Sequence, residues 1–386
     1  MSSRKKGKGK LKRKHFFVAV PIIGLFLFLG TNMRSGQHIV FEYLAEKSSK
    51  PVVQKEVLHV KTPETVKAVY MTSWVGSTKN LRDKLVKVAE ETEINSIVLD
   101  IKDYTGKIAF EMNNSVVRGY GSSENRIKDI KEFIKELHGK NIYVIGRIAV
   151  FQDPYLAAKK PEWAAKTKSG AVWKDYKGMA WLDTCSKEVW DYTIAIAREA
   201  EAIGFDELNF DYVRFPSDGN MKDLSNHHCN KELTKADLLE GFFYHLRKGL
   251  IDLKIPISAD LFGMVANNAD DLNIGQVLER ADSYFDYLAP MVYPSHYPAG
   301  HLGFANPAAR PYEVIKNAMD NGVKRLRAVS SDPNKLRPWL QDFSIGATYD
   351  AEMVRKQKQA VYDAGLGSWM LWSPSNRYTE GALDKE

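Results

Sequence analysis

Strand-like and helix-like stretches alternate from residue 66 to residue 376, which leaves few folds open to the chain. Runs rich in β-branched and aromatic residues predict the strands, and apolar residues three and four apart predict the helices between them. The eight strands are expected at 66–74, 94–103, 142–151, the stretch that ends before Pro216, 255–262, 285–293, 336–343 and 367–374. The pattern predicts an α/β fold of the TIM (β/α)8 barrel type, which takes about 250 residues.

An open, doubly wound parallel sheet is the alternative fold. No glycine-rich phosphate loop follows the first strand, because Trp74, Val75, Gly76 and Ser77 do not form one. The absence of this loop argues against a nucleotide-binding protein. Residues 323–329 compete with 336–343 for the seventh strand, although 323–329 carries charges on both faces.

The N-terminus predicts where the protein is located. Eight of its positive charges lie in the first 14 residues, and without them the net charge changes from +7 to −1, so no nucleic-acid partner is expected. An apolar run, 16–30, follows these charges in the manner of a secretory signal. No small-x-small cleavage motif comes next, which favours an uncleaved anchor helix. Because the positive side stays cytoplasmic, the rest of the chain is expected outside, membrane-anchored or secreted if the segment is cleaved.

Three segments are therefore expected. A basic N-terminus with a signal-anchor helix occupies 1–33, a polar linker 34–64, and the barrel 65–386. The only cysteines, Cys185 and Cys229, are able to form a disulfide outside the cytoplasm. His227 and His228 precede Cys229, but no second ligand pair at a zinc-binding spacing accompanies them. We therefore expect neither a metal nor a cofactor.

The fourth strand has polar and apolar residues in strict alternation. Glu207, Asn209 and Asp211 alternate with Leu208 and Phe210, so one face is polar and the other apolar. In a barrel, the polar face points into the lumen and the apolar face packs under the helices. Asp211 then lies at the carboxyl end of its strand, where barrel enzymes carry their chemistry. An Asp that only caps the end of the strand or pairs with Arg214 is the simpler interpretation.

Acidic, polar and aromatic residues recur at the ends of the other predicted strands. Cleavage of a glycosidic bond uses two carboxyl groups, one near the ring carbon and one giving a proton to the leaving oxygen. Aromatic faces pack on sugar rings, and Arg, Asn and Gln bind hydroxyl groups. Besides Asp211, the candidate residues are Asp103, Arg147, Asn209, Arg214, Asp260, Tyr293, His296, Trp339, Gln341, Asp342 and Trp372.

Seven runs over about 66–376 are specific enough for comparison with known families: VKAVYMTSW, SIVLDIKDYTGKI, FDELNFDYVRFPSDG, SADLFGMVA, YLAPMVYPSHY, LRPWLQDF and WMLWSPSN. They resemble the DUF4015 family of glycosyl hydrolase domains, which is similar to TIM-barrel glycosidases. The resemblance implies a barrel with carbohydrate chemistry. By analogy with barrel glycosidases, Asp211 is expected to be the nucleophile or stabiliser. Asp260 is the first choice for the acid and Asp342 the second, while Asp103 is expected to position a hydroxyl group.

The sequence departs from the best-known amylase-like pattern, because the fifth strand lacks the usual Glu acid. The first hypothesis is a glycosidase acting on an extracytoplasmic polysaccharide or oligosaccharide. The second is a carbohydrate-binding barrel at the cell surface that has lost turnover. A polysaccharide deacetylase needs a metal site, which the scattered histidines do not indicate.

Overall fold

The computed structural model describes residues 58–385. The predicted anchor helix and most of the predicted linker lie outside the described residues. Among the helices of 58–385, none has the length and apolar character needed to cross a membrane.

Eight parallel strands close into a barrel in which each strand pairs with its neighbours in chain order, and the last pairs with the first. This confirms the closed barrel over the open sheet. The strands are β1 (Lys67–Met71), β2 (Ser96–Lys102), β3 (Tyr143–Ala149), β4 (Glu207–Asp211), β5 (Ile257–Phe262), β6 (Tyr287–Met291), β7 (Trp339–Gln341) and β8 (Trp369–Trp372).

The described residues contain ten α-helices, which connect the strands. They are α1 (Ser73–Ser77), α2 (Lys79–Glu91), α3 (Ser115–Tyr120), α4 (Ile130–Gly139), α5 (Pro154–Lys159), α6 (Lys187–Ile203), α7 (Lys235–Gly249), α8 (Leu278–Asp282), α9 (Pro311–Ala328) and α10 (Ala351–Asp363). Helix α9 includes most of 323–329, so this stretch is not the seventh strand. That strand lies within the predicted 336–343 but is much shorter.

The two faces of each strand belong to two separate cores. Leu208 and Phe210 of β4 lie in the large core between the barrel and its helices. Tyr70, Tyr143 and Trp339 lie in the smaller core inside the barrel. This division follows from the period of two along a strand, and it confirms the predicted orientation of the apolar face of β4.

The long segment between β3 and β4 adds a small subdomain over the carboxyl ends of the strands. Its short strand Lys166–Thr167 pairs with Leu224–Ser225, which follows β4. The disulfide Cys185–Cys229 connects the same two segments. The pairing that the sequence allowed is therefore present.

The disulfide is expected to contribute to stability because it limits the unfolded chain. It spans 44 residues of sequence, and replacing both cysteines with serine should cost about 2–4 kcal/mol. Thermal unfolding with and without a thiol reductant measures this. The reductant should lower the midpoint of the wild type and leave that of the double variant unchanged. Equal midpoints for the two oxidised proteins would contradict the expectation.

Candidate active site

A cavity of about 500 Å³ opens at the carboxyl ends of the barrel strands. The ends of β3, β4, β5, β6 and β8 and the segments after β3 to β6 supply its walls. Its lining residues are Arg147, Gln152, Asp175, Lys177, Trp181, Asp211, Tyr212, Arg214, Ser217, Asp218, Asp260, Phe262, Gly263, Met264, Met291, Tyr293, His296, Tyr297 and Trp372. This is the end of a parallel barrel at which active sites occur.

Asp211 is the last residue of β4, and the chain turns sharply after it. Tyr212 has φ of 54°, a left-handed conformation that is costly for a bulky residue. Its backbone N–H donates a hydrogen bond to Asp211 Oδ1. The strained turn therefore fixes the Asp211 carboxylate at the floor of the cavity, and strain of this kind is common at functional sites.

Arg147 of β3 connects three acidic residues of the barrel. Its guanidinium donates to Asp211 through Nε and Nη2, with 3.1 Å from Nε to Oδ2, and through Nη1 to Asp100 Oδ1 at 2.8 Å. Its Nε is also 3.8 Å from Asp260 Oδ2. Asp100 in turn accepts a hydrogen bond of 2.6 Å from the Tyr70 hydroxyl. The buried cation thus holds these carboxyl groups together.

Asp260 of β5 is buried beside Asp211. Asn209 Nδ2 and Trp339 Nε1 donate to its Oδ1 at 2.9 and 2.8 Å. Burial, and then the negative charge of Asp211, raise the pKa of Asp260 to about 8. Both donors reach the same oxygen, which leaves Oδ2 free to carry a proton on the side of Arg147. At neutral pH, Asp260 is therefore the protonated member of the pair.

The two distances to Arg147 Nε also limit how far Asp211 and Asp260 are separated. Their Oδ2 atoms lie 3.1 and 3.8 Å from the same nitrogen. They are therefore at most roughly 7 Å apart, which excludes most of the separations found in inverting glycosidases.

Arg214, three residues after Asp211, forms part of the cavity wall. It does not pair with Asp211, because its Nη1 donates to Phe215 O at 3.0 Å and to Ser217 Oγ at 3.2 Å. Its guanidinium lies 4.7 Å from the centre of the Trp181 ring and 4.6 Å from that of Phe262. A pair of Asp211 with Arg214, one form of the simpler interpretation, is not what the structure shows.

Aromatic side chains form the opposite part of the wall. Trp372 stacks on Tyr70 with ring centres 4.0 Å apart. Tyr293 contacts His296 edge to face at 5.4 Å. Burial lowers the pKa of His296, so its imidazole is neutral at pH 7. The cavity thus combines flat apolar faces with neutral hydrogen-bonding groups.

The structure brings most of the sequence-predicted site residues to this cavity. Asp211, Asp260, Arg147, Arg214, Tyr293, His296 and Trp372 line it. Asn209 and Trp339 lie behind Asp260 as its hydrogen-bond donors. Asp103, Gln341 and Asp342 are not among the lining residues.

These three residues form hydrogen bonds or ion pairs outside the cavity. Asp103 pairs with Arg126 and accepts the Thr105 N–H. Asp342 accepts two hydrogen bonds from Thr379, through its hydroxyl at 2.7 Å and its N–H at 2.8 Å. Gln341 donates to Phe343 O and accepts the Ser295 N–H. Their predicted roles remain predictions.

Three residues of the site, Asp100, Tyr70 and Trp181, are not among the candidate residues predicted from the sequence. Asp100 shares the inward face of β2 with Val98, which is part of the inner core, so the period of two was a usable signal. Tyr70 gave no such signal, because it reaches the site only through tertiary packing. For Trp181, together with Trp163 and Trp173, the sequence allows two interpretations, a sugar-binding wall or the core of a small subdomain, and Trp181 lines the cavity.

Two groups of possible metal ligands that share Asp183 occur away from the cavity in the described residues, and the cysteines of one of them form the disulfide. Asp183, His227 and His228 bring their ligand atoms close together. Asp183 already accepts the backbone N–H groups of Cys185 and His228 at 3.0 Å each. The group therefore holds the loops around the disulfide together.

Sequence comparison relates the chain to one family. A family model described as "Putative glycosyl hydrolase domain", DUF4015, matches residues 68–378. None of the curated proteins matches the sequence.

Structure comparison finds barrels of known glycoside hydrolases. The PgaB (BpsB) glycoside hydrolase domain from Bordetella bronchiseptica aligns with a TM-score of 0.59 at 14% identity, over 84% of this chain and 99% of that one. α-L-Fucosidase isoenzyme 2 from Paenibacillus thiaminolyticus aligns with 0.53 at 15%, over 83% and 47%. A hypothetical protein from Ruminiclostridium thermocellum ATCC 27405 is 35% identical, with a TM-score of 0.46, over 53% and 98%. At 14–15% identity, the first two likenesses show the fold alone.

Proposed function

The chain belongs to the DUF4015 family of glycosyl hydrolase domains, and on this premise we propose that it is a glycosidase with Asp211 and Asp260 as its paired carboxyl groups. The observation that carries the proposal is their arrangement around Arg147. One acid is paired with the guanidinium, and the other is buried with a pKa raised to about 8. Environments that separate two neighbouring acids in this way are the basis of acid and base assignments in enzymes.

In the proposed reaction, the protonated Asp260 gives its proton to the glycosidic oxygen as the bond breaks. The negative Asp211 faces the ring carbon, where positive charge develops, and acts as nucleophile or stabiliser. Their Oδ2 atoms are at most roughly 7 Å apart. This limit allows the separation of ~5–5.5 Å between the carboxyl groups of retaining enzymes, but only the lowest part of the ~6.5–9.5 Å range of inverting enzymes. We therefore favour retention. Trp372 and Tyr293 offer faces for the sugar ring.

A second candidate function, a carbohydrate-binding barrel without turnover, has one observation in its favour. Both oxygens of Asp211 already accept hydrogen bonds from the protein, from Arg147 and from the Tyr212 N–H. A carboxylate stabilised in this way is a weaker nucleophile. Binding without release of sugar from any glycan tested would support this candidate.

We further propose that the protein acts outside the cytoplasm on a polysaccharide. The Cys185–Cys229 disulfide supports this location, because disulfides persist in oxidising compartments. The basic and apolar residues of 1–33 support it independently. A fusion to a reporter that is active only outside the cytoplasm tests the location, and activity of a cytoplasmic reporter would reject it.

The function is tested by the release of reducing ends from a broad panel of polysaccharides and oligosaccharides. We expect the wild type to release sugar from at least one of them, and EDTA not to change the rate. Release of acetate that EDTA abolishes would point to a deacetylase instead.

The pKa of Asp260 leads to a prediction about pH. Asp260 acts as an acid only while protonated, and its pKa is raised to about 8 by burial and by Asp211. We therefore expect kcat/KM to be maintained at neutral pH and to fall about tenfold for each pH unit well above 8. A pH–rate profile on an unactivated oligosaccharide measures this. If kcat/KM already began to fall below pH 6 as the pH rises, the assignment of Asp260 as the acid would be contradicted.

A further inference from the structure

Arg214 is a buried cation without a carboxylate partner among the described residues. It is nine-tenths buried and lines the cavity. Nη1 donates to Phe215 O and Ser217 Oγ, while Nε and Nη2 have no hydrogen-bond acceptor in the described part of the chain. Burial lowers the pKa of Arg214 to about 10, which still leaves it positively charged at neutral pH. Burying a charge without a counter-ion is costly, and an anion bound in the cavity would offset part of that cost.

Aromatic rings fix the plane of this guanidinium. The Trp181 and Phe262 rings lie 4.7 and 4.6 Å from it. Trp181 is itself held by a hydrogen bond of 3.1 Å from its Nε1 to Asp175 Oδ2. The free N–H groups are therefore pre-organised, which lowers the entropic cost of binding a planar group.

No acidic residue of the cavity lies within ion-pair distance of Arg214, although the negative charges of Asp211, Asp175 and Asp218 act on it from further away. Asp211 is paired with Arg147, and Asp260 is protonated at neutral pH. Asp175 is occupied by Trp181 and by the N–H groups of its own turn. Asp218 is exposed at the rim and lies beyond ion-pair distance of Arg214. Lys177, also at the rim, adds another positive charge.

We propose that Arg214 provides a subsite for an oxyanion substituent, with Lys177 at the rim of the same cavity, so that the preferred substrate is a glycan carrying carboxylate or sulfate groups. The inference rests on the proposed function, because it names the substrate class of the same cavity. A carboxylate at C6 of a sugar ring matches the planar fork of a guanidinium, which binds such groups through parallel hydrogen bonds. The volume of about 500 Å³ has room for the charged sugar unit beside the two catalytic carboxyl groups.

The test measures binding by calorimetry with matched sugars that differ only at C6. Glucuronate is compared with glucose, galacturonate with galactose, and mannuronate with mannose. A charge-assisted hydrogen bond contributes enough for the acid of at least one pair to bind about 10-fold or more tightly. A second set of binding measurements uses the 6-sulfates of the neutral sugars. Tighter binding of the uronate identifies a carboxylate, and tighter binding of the 6-sulfate identifies a sulfate ester.

Variants then assign the preference to its residues. Arg214→Gln keeps amide donors but removes the charge, so the ratio of affinities within the preferred pair should fall to about one. Arg214→Lys keeps the charge without the fork, and part of the preference should survive. Arg310→Gln is the matched control, because Arg310 is an exposed arginine stacked on Phe304 outside the cavity. The Arg310→Gln variant should keep the full ratio of affinities within the preferred pair. Thermal unfolding of each variant verifies that it is folded.

Equal affinities within all three pairs and no preference for the 6-sulfates would overturn the inference. So would a preference that persists in a folded Arg214→Gln variant. Because binding needs no bond cleavage, the two proposals fail separately. A protein that prefers the acids but hydrolyses nothing loses only the proposed function, whereas one that hydrolyses neutral glycans without any preference loses only the oxyanion subsite.

Discussion

Asp211→Asn should lower kcat for glycan hydrolysis on the order of 10⁴-fold while glycan affinity changes by only a few fold. Asparagine has nearly the same shape and still accepts the Tyr212 N–H, but it has no charge to attack or stabilise the ring carbon. It also leaves Arg147 with one fewer carboxylate. Reducing-end release and calorimetric binding on the same glycan separate the two effects.

The corresponding change at Asp260 should have a different signature. Asp260→Asn removes a general acid, which contributes about 10²–10⁴-fold. A nitrophenyl glycoside needs little protonation of its leaving group, so the variant should retain much more activity on it than on an oligosaccharide. The fall in kcat/KM above about pH 8 should also disappear. Asp211→Asn should show no rescue by the better leaving group. Its fall in kcat/KM at alkaline pH should persist but move to lower pH, because the negative charge of Asp211 helps to raise the pKa of Asp260.

Asp342→Asn is the matched control for the acid. Asp342 is also a buried strand-end carboxyl group whose pKa is raised by burial, and the sequence alone made it the second choice. Its oxygens bind Thr379 rather than facing the cavity. We therefore expect its replacement to lower stability without any dependence on the leaving group. A leaving-group effect at Asp342 and none at Asp260 would reverse the assignment.

The contrast between Asp260 and Asp342 shows what a sequence can predict about a site. A strand pattern gives the face on which a side chain lies if the register is known. In β7, Trp339 points inward to Asp260, so the alternation places Asp342, three positions later, on the other face. Within the predicted strand 336–343, only Trp339–Gln341 form the continuous strand β7, so the sequence did not show where the alternation begins.

The fold was more predictable than the site because it depends on repeated local patterns. The period of two in β4 and the helical spacing of α6 or α7 are present in the chain itself. The short helix α1 escaped the prediction, since five residues do not complete an amphipathic pattern. Elements of this kind depend on capping, here the Thr72 side chain that accepts the Val75 N–H.

The chemistry of the site depends on contacts between distant positions. The sequence placed Arg147 at a strand end, but its simultaneous contacts with Asp100, Asp211 and Asp260 follow only from the closure of the barrel. The raised pKa of Asp260 has the same origin, because burial and the nearness of Asp211 cause it. Local propensity carries no information about either effect.

Leu208→Asp should prevent the barrel from folding at ordinary temperatures. Leu208 is fully buried in the core between β4 and its helices, where α6 packs against this strand. The change removes about 1.5–3 kcal/mol of apolar burial. It also places a carboxylate where no described cation is available, which costs several kcal/mol more or forces the group to protonate. Together these terms approach the 5–15 kcal/mol that stabilises a typical domain.

Two matched substitutions isolate the cause. Leu233→Asp makes the same chemical change at an exposed leucine and should shift the unfolding midpoint by only a degree or two. Leu208→Met conserves volume and polarity in the core and should cost less than about 1.5 kcal/mol. Circular dichroism and thermal unfolding of the three variants measure these effects. If Leu208→Asp unfolded near the wild-type temperature, Leu208 would have to face water or the lumen. Asp211, three positions further along the same strand, would then point into the helix layer, and the pairing of Asp211 with Asp260 in one cavity would be lost with it.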